Sequence, residues 1–124
     1  MNVPDDLLYT KDHEWIRIVG DIATIGVTDY AQGELGDIIF IEFPKTGIIY
    51  QSGDPVGTIE AVKTVADIYA PIDGEILEVN LQIEDEPDII NKDPYNKGWI
   101  IKLCKIPKDF SNLLNASDYK DIIQ

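Results

Sequence analysis

A chain of 124 residues suits a single domain, 1–124, and can bury a core without disulfides or metals. Its 23 acidic residues against 10 basic ones give a formal net charge of −13. Such a surface repels phosphate backbones and anionic lipid, so nucleic acid and membrane are excluded as partners and basic docking surfaces are favoured.

The N-terminal run Met1-Asn2-Val3-Pro4-Asp5-Asp6 is acidic at once. It lacks the basic start and apolar core of a signal peptide, and the arginine-rich character of a transit peptide. No apolar run is long enough to span a bilayer. The expected place is the cytoplasm, with the chain as it stands or as a mature form whose leader has been removed.

Glycine and proline then punctuate the chain at short intervals from Gly20 to Gly74, and the runs between them are rich in Ile, Val and Thr. This is the pattern of many short strands joined by tight turns. His13 to Val19 reads as a strand, Gly20-Asp21 as a hairpin turn and Ile22 to Val27 as the returning strand. Thr28 to Leu35 breaks the pattern; Thr28 or Asp29 caps a short helix through Glu34, which Gly36 ends. Asp37 to Phe43 is the next strand. Strict alternation puts Ile39, Ile41 and Phe43 on one face and Ile38, Phe40 and Glu42 on the other. Ile48 to Gln51 is short.

Val56 to Val62 and Thr64 to Tyr69 make a long β-prone stretch around Lys63, and Glu75 to Val79 is a further strand. Leu81 to Asn91 is acidic and holds a short helix or turns around Pro87. Trp99 to Cys104 is the last strand. Ser111 or Asn115 starts a C-terminal helix, with Leu113, Leu114, Tyr119, Ile122 and Ile123 available to pack on the β core. A faint echo links Ser52-Gly53-Asp54-Pro55-Val56 with Ile72-Asp73-Gly74-Glu75-Ile76, as if two similar hairpin arms flanked Lys63.

Few residues carry chemistry. The one cysteine, Cys104, excludes an internal disulfide framework and suits a reducing compartment. It lies in an apolar strand and reads as packed rather than nucleophilic. The one histidine, His13, has no second histidine or cysteine at ligand spacing, so a metal site is not expected. It reads as a partly buried hydrogen-bonding residue. Asn91 to Gly98 lacks the alternating acidic ligands of a calcium loop. Trp15 and Trp99 read as core aromatics. No phosphate-binding glycine loop or nucleophile elbow occurs.

Lys63 is the only basic residue between Pro55 and Ile72. A lone lysine in a strand commonly keeps one face wet. The flanking run, however, has no strong turn former before Pro71. If the chain reverses, it does so near Val62-Lys63-Thr64, and the lysine then projects from a hairpin tip. That geometry suits an amine that a modifying enzyme must reach.

The segment Glu60-Ala61-Val62-Lys63-Thr64-Val65-Ala66-Asp67, followed by Ala70-Pro71-Ile72-Asp73-Gly74-Glu75, resembles the lipoylation hairpin of the glycine cleavage system H proteins. Tyr9-Thr10-Lys11-Asp12-His13-Glu14-Trp15 resembles that family's N-terminal signature. Gly26-Val27-Thr28-Asp29-Tyr30-Ala31-Gln32 with Leu35-Gly36-Asp37 resembles its next block. Pro87, Asn91, Asp93-Pro94-Tyr95 and Gly98-Trp99 match a later one. The likeness spans nearly the whole chain, in order. Departures are small exchanges: the family usually has Ser where Ala61 stands, Ala for Thr64 and Ser for Ala66.

The resemblance implies a mainly β fold, a flattened β-barrel or barrel-sandwich hybrid of the lipoyl-domain kind, with short helices and a C-terminal helix. It implies a non-catalytic, monomeric carrier with lipoate joined covalently to Lys63. Its partners would be a glycine decarboxylase, an aminomethyltransferase that feeds one-carbon metabolism through tetrahydrofolate, a dihydrolipoamide dehydrogenase and lipoylating enzymes. Glu14 and Asp67 would line a cleft that shelters the loaded arm, since a cationic amine favours carboxylates. Some family members carry histidine at the position of Glu34, so that contact differs here. An H-like protein that relays lipoyl or octanoyl groups to other acceptors needs the same lysine hairpin. A biotin carrier is disfavoured, because methionines typically flank its lysine, where Val62 and Thr64 stand. A lipoyl domain of a 2-oxoacid dehydrogenase lacks the N-terminal block and the C-terminal helix. A β domain that only binds would leave Lys63 a free amine.

Overall fold

The computed structural model describes residues 1–124. In chain order the elements are β1 (Leu8–Tyr9), β2 (Glu14–Val19), β3 (Ile22–Val27), α1 (Asp29–Leu35), β4 (Ile38–Glu42), β5 (Ile49–Tyr50) and β6 (Pro55–Ala61). Then come β7 (Val65–Tyr69), β8 (Gly74–Val79), α2 (Leu81–Asp85), α3 (Ile89–Lys92), β9 (Ile101–Cys104) and α4 (Ala116–Ile123). The strands pair antiparallel into a six-stranded sheet, β1-β2-β3-β9-β8-β5, and a three-stranded sheet, β4-β6-β7. Both contribute to one core of 18 buried residues, mostly isoleucine and valine from alternate strand positions. The result is a flattened barrel-sandwich whose sheets do not close on each other.

The face assignment of β4 differs from strict alternation. Ile38 and Ile41 are buried, while Ile39 and Phe40 are 55% and 49% exposed. A bulge between Ile38 and Phe40 is the cause. One extra residue resets the two-residue period, so two isoleucines three apart both face the core. The echoed segments are not hairpin arms either. They are adjacent corners at which the chain passes between sheets, tied by Ser52 N–H donating to Asp73 Oδ1 at 2.8 Å.

A second, aromatic cluster of Leu7, Tyr9, Trp15, Tyr95, Ala116 and Tyr119 closes one end. Trp15 is fully buried and its indole N–H donates to the Pro94 carbonyl at 3.0 Å. Gly26, opposite it on β3, is a close approach: a Cβ there would lie 2.7 Å from the indole ring. Asn115, rather than Ser111, caps α4, its side chain accepting from Asp118 N–H at 2.8 Å. Tyr119 on α4 stacks on Tyr9 with ring centroids 4.7 Å apart.

Candidate functional site

The reversal falls where the absence of other turn formers put it. β6 and β7 pair from Pro55↔Tyr69 to Glu60↔Val65, and Ala61 N–H donates to Thr64 C=O at 2.8 Å. Val62, Lys63 and Thr64 are exposed at the tip. The tip is held in place: Val62 N–H donates to the Asp37 carbonyl at 3.0 Å, which ties it to the corner between α1 and β4.

Asn91 braces that corner. Its Oδ1 accepts from Ile38 N–H at 3.0 Å, and its Nδ2 donates to the Gly36 carbonyl at 2.8 Å and to Gln32 Oε1 at 3.1 Å. Gly36 ends α1 with φ 79° and ψ −153°, a conformation that side chains with a Cβ avoid. A Cβ at that position would stand 3.4 Å from Lys63 Cε. Lys63 thus lies across the corner beside Gly36.

Next to the hairpin lies a cleft of about 330 Å³. Its walls include the apolar Val27, Leu35 and Ile59, and its carboxylates are Asp12, Glu14, Glu34 and Asp67. The structure therefore brings Glu14 and Asp67 together, from different sheets, and adds Glu34 from α1. A larger groove of about 470 Å³ lies along Asp67 as well, but it holds Lys45, and Glu42 is its only other carboxylate. The smaller cleft is the better match for an apolar chain with a cationic end.

Glu14 is not the solvated strand charge that its place in β2 suggests. It is 2% exposed. One carboxylate oxygen accepts from Thr10 Oγ1 at 2.6 Å, the other from Tyr69 N–H at 3.2 Å. It thus pins β7, an edge strand, to the other sheet. Burial pushes its pKa from 4.5 to about 7, and the two hydrogen bonds offset only part of that cost. Asp67, by contrast, is exposed on β7.

His13 has φ 68°, and its Nδ1 lies 2.9 Å from Tyr119 Oη, which is in turn 2.7 Å from Thr28 Oγ1. Thr28 caps α1 by accepting from Ala31 N–H at 3.2 Å. The C-terminal helix thereby braces both the rim and one wall of the cleft. Burial lowers the pKa of His13, against Asp12 and Glu34, which raise it. Residue-by-residue reading missed Thr10, Tyr119 and the bracing role of Asn91, because each acts through a partner distant in sequence or through a hydroxyl with no signature of its own. Cys104 is half-buried, with Sγ 3.6 Å from the Glu75 carbonyl. No group of three histidine, cysteine or acidic side chains gathers at metal-binding distance, and no helix is long and apolar enough to cross a membrane.

An exposed lysine at a hairpin tip, beside an acid-lined cleft in a barrel-sandwich, is the arrangement that the resemblance to the lipoyl-carrier class implies. Known proteins narrow this. The model of the family described as glycine cleavage H-protein matches residues 7–124. The chain is 50% identical over 126 residues to the glycine cleavage system H protein of Bacteroides thetaiotaomicron, covering 99% of this chain and 98% of the relative. It is 44% identical over 124 residues to that of Staphylococcus carnosus, covering 99% and 98%. The crystal structure of a glycine cleavage system H protein from Mycobacterium marinum matches with a TM-score of 0.88 at 39% identity, covering 96% of this chain and 97% of that one. The chain belongs to the glycine cleavage H-protein family.

Proposed function

We propose that Lys63 is the site of covalent lipoyl attachment. Residues 1–124 then act as one carrier domain without catalysis of its own. The domain passes an aminomethyl group from a glycine decarboxylase to an aminomethyltransferase. The observation that carries this reading is the position of Lys63, exposed at a braced hairpin tip beside a cleft with apolar walls and carboxylates.

The residues present fit a lipoyl group. Asp67 lies four positions beyond Lys63, at most about 13 Å even were the run fully extended, within reach of a lysine lengthened by a medium-length acyl chain. Lys63 would hold the lipoyl group, which would supply a strained disulfide able to take up an aminomethyl group. The chain's own residues supply reach and shelter. Lys63 gives a flexible tether and a high local concentration of whatever it carries. Val27, Leu35 and Ile59 exclude water from the apolar part of the arm. Glu14 and Asp67 offer carboxylates to a cationic amine, and Glu34 adds a third in place of the histidine of some relatives. Lipoylating enzymes act on the same lysine, and the acidic surface favours partners with basic faces.

Replacing Lys63 with arginine tests this directly. Arginine keeps the charge but cannot be acylated. Lys63→Arg is expected to unfold within about 0.5 kcal/mol of the parent, as exposed substitutions do, and to lose all glycine-decarboxylase-coupled exchange. Retained exchange would contradict the proposal.

A further inference from the structure

Around Lys63 the outer face of the three-stranded sheet leaves apolar side chains without partners. Phe40, Glu60 and Val65 stand in register across β4, β6 and β7, and Glu42, Thr58 and Asp67 form the next row. Phe40 is 49% exposed and Val65 62%; Ile39 beside the bulge is 55% exposed and Val62 beside the lysine 72%. Directly opposed cross-strand side chains lie about 5 Å apart, and Val62 is tied to the corner that begins β4. Phe40 and Val65 thus flank Glu60, about 10 Å apart, and with Ile39 and Val62 lie at the end of the sheet nearest Lys63. The same three strands carry Glu42, Glu60 and Asp67 and no basic residue. Apolar side chains set among carboxylates match a protein surface that presents apolar and basic side chains together.

Reach decides which protein that is. An enzyme that joins an acyl group to the bare lysine must bring its reacting carbon to Nζ, so its surface has to close on the hairpin tip. An enzyme that works on the far end of the loaded arm meets a tether more than twice as long and can stay clear of the tip. We propose that Phe40 and Val65, with Ile39 and Val62, form the recognition surface for the acyl-transferring enzyme that modifies Lys63. This rests on the reading of Lys63 as the acceptor.

In the step itself the Nζ lone pair forms a C–N bond to the carbonyl carbon of an activated acyl donor, an acyl phosphate anhydride or a thioester. The C–O or C–S bond breaks, its electron pair leaves with the donor's leaving group, and the nitrogen gives one proton to a base. No oxidant or reductant enters.

The test uses the purified unmodified protein, an ATP-dependent lipoylating ligase, lipoate and ATP, with modification followed by intact mass and mapped to Lys63. Phe40→Thr and Val65→Thr keep β propensity, and each is expected to lower kcat/KM for modification about tenfold, mainly through KM. Ile49→Thr is the control: Ile49 is 68% exposed but lies in the other sheet, and its substitution is expected to leave the rate unchanged. Once loaded, the Phe40 and Val65 variants are expected to be reduced by dihydrolipoamide dehydrogenase and NADH at the parent rate. Parent-like modification of both variants, or an equal loss in Ile49→Thr, would overturn the proposed surface. So would an equal loss of the dehydrogenase reaction. Absence of any adduct on Lys63 in the parent protein would overturn the attachment reading itself.

Discussion

Glu14 shows what a single residue contributes beyond its charge. It stands at the first position of β2, where sequence alone reads it as solvated, and only the resemblance marked it for the cleft. Its burial depends on the Tyr69 amide, which is 55 residues away in sequence, so no local pattern reveals it. The consequence is a pH dependence with a definite sign. The folded protein holds the Glu14 proton up to about pH 7, whereas the unfolded chain releases it near 4.5. Protonation therefore favours the folded state. The Glu14 contribution is fully present below pH 4.5, is lost as pH rises to about 7, and stays constant above that. Glu14→Gln cannot titrate. Urea unfolding across pH is expected to show the parent losing stability relative to Glu14→Gln through that window, with parallel curves above it. Curves parallel throughout would contradict the assigned burial cost. A cationic amine in the cleft acts in the opposite direction and stabilises the ionised carboxylate.

The elements were legible where local chemistry decides them. Thr28 caps α1 and Gly36 ends it because a hydroxyl acceptor and a glycine conformation are local requirements. The Lys63 hairpin was legible only as a condition, since the run from Thr58 to Tyr69 holds no glycine or proline and a reversal within it falls near Lys63. The β4 bulge was not, because its cause is pairing with β6 rather than anything in Ile38-Ile39-Phe40 itself. Which corner lies beside which was equally hidden in the echoed segments. The C-terminal helix was expected to cover the β core, but its reach into the cleft rim came only with the fold. Tyr119 Oη sits between Thr28 Oγ1 and His13 Nδ1, and burial raises its pKa to about 12. Tyr119→Phe removes both hydrogen bonds and keeps the stacking on Tyr9. The expected cost is about 1–2 kcal/mol in urea unfolding, because Thr28 and His13 are left without that partner. Unchanged stability would show that α4 holds the rim by packing alone.

At the scale of the molecule, two facts shape how this protein meets others: a net charge of −13, and a lysine held at the end of a three-stranded sheet whose strands carry no other base. The first predicts electrostatic docking. Glycine-decarboxylase-coupled rates are expected to fall as salt rises from about 0.01 M to about 0.15 M, where the screening length shrinks from about 30 Å to about 8 Å. A flat response would count against charge-guided encounter. The second bears on the proposal that Lys63 carries the lipoyl group. It is tested most directly by the mass of the protein purified from a host that makes lipoate, with any adduct mapped by peptide fragmentation. A lipoyl group on Lys63 and on no other lysine is expected. A biotin adduct, or a Lys63 that stays a free amine where other lipoyl proteins are modified, would contradict it.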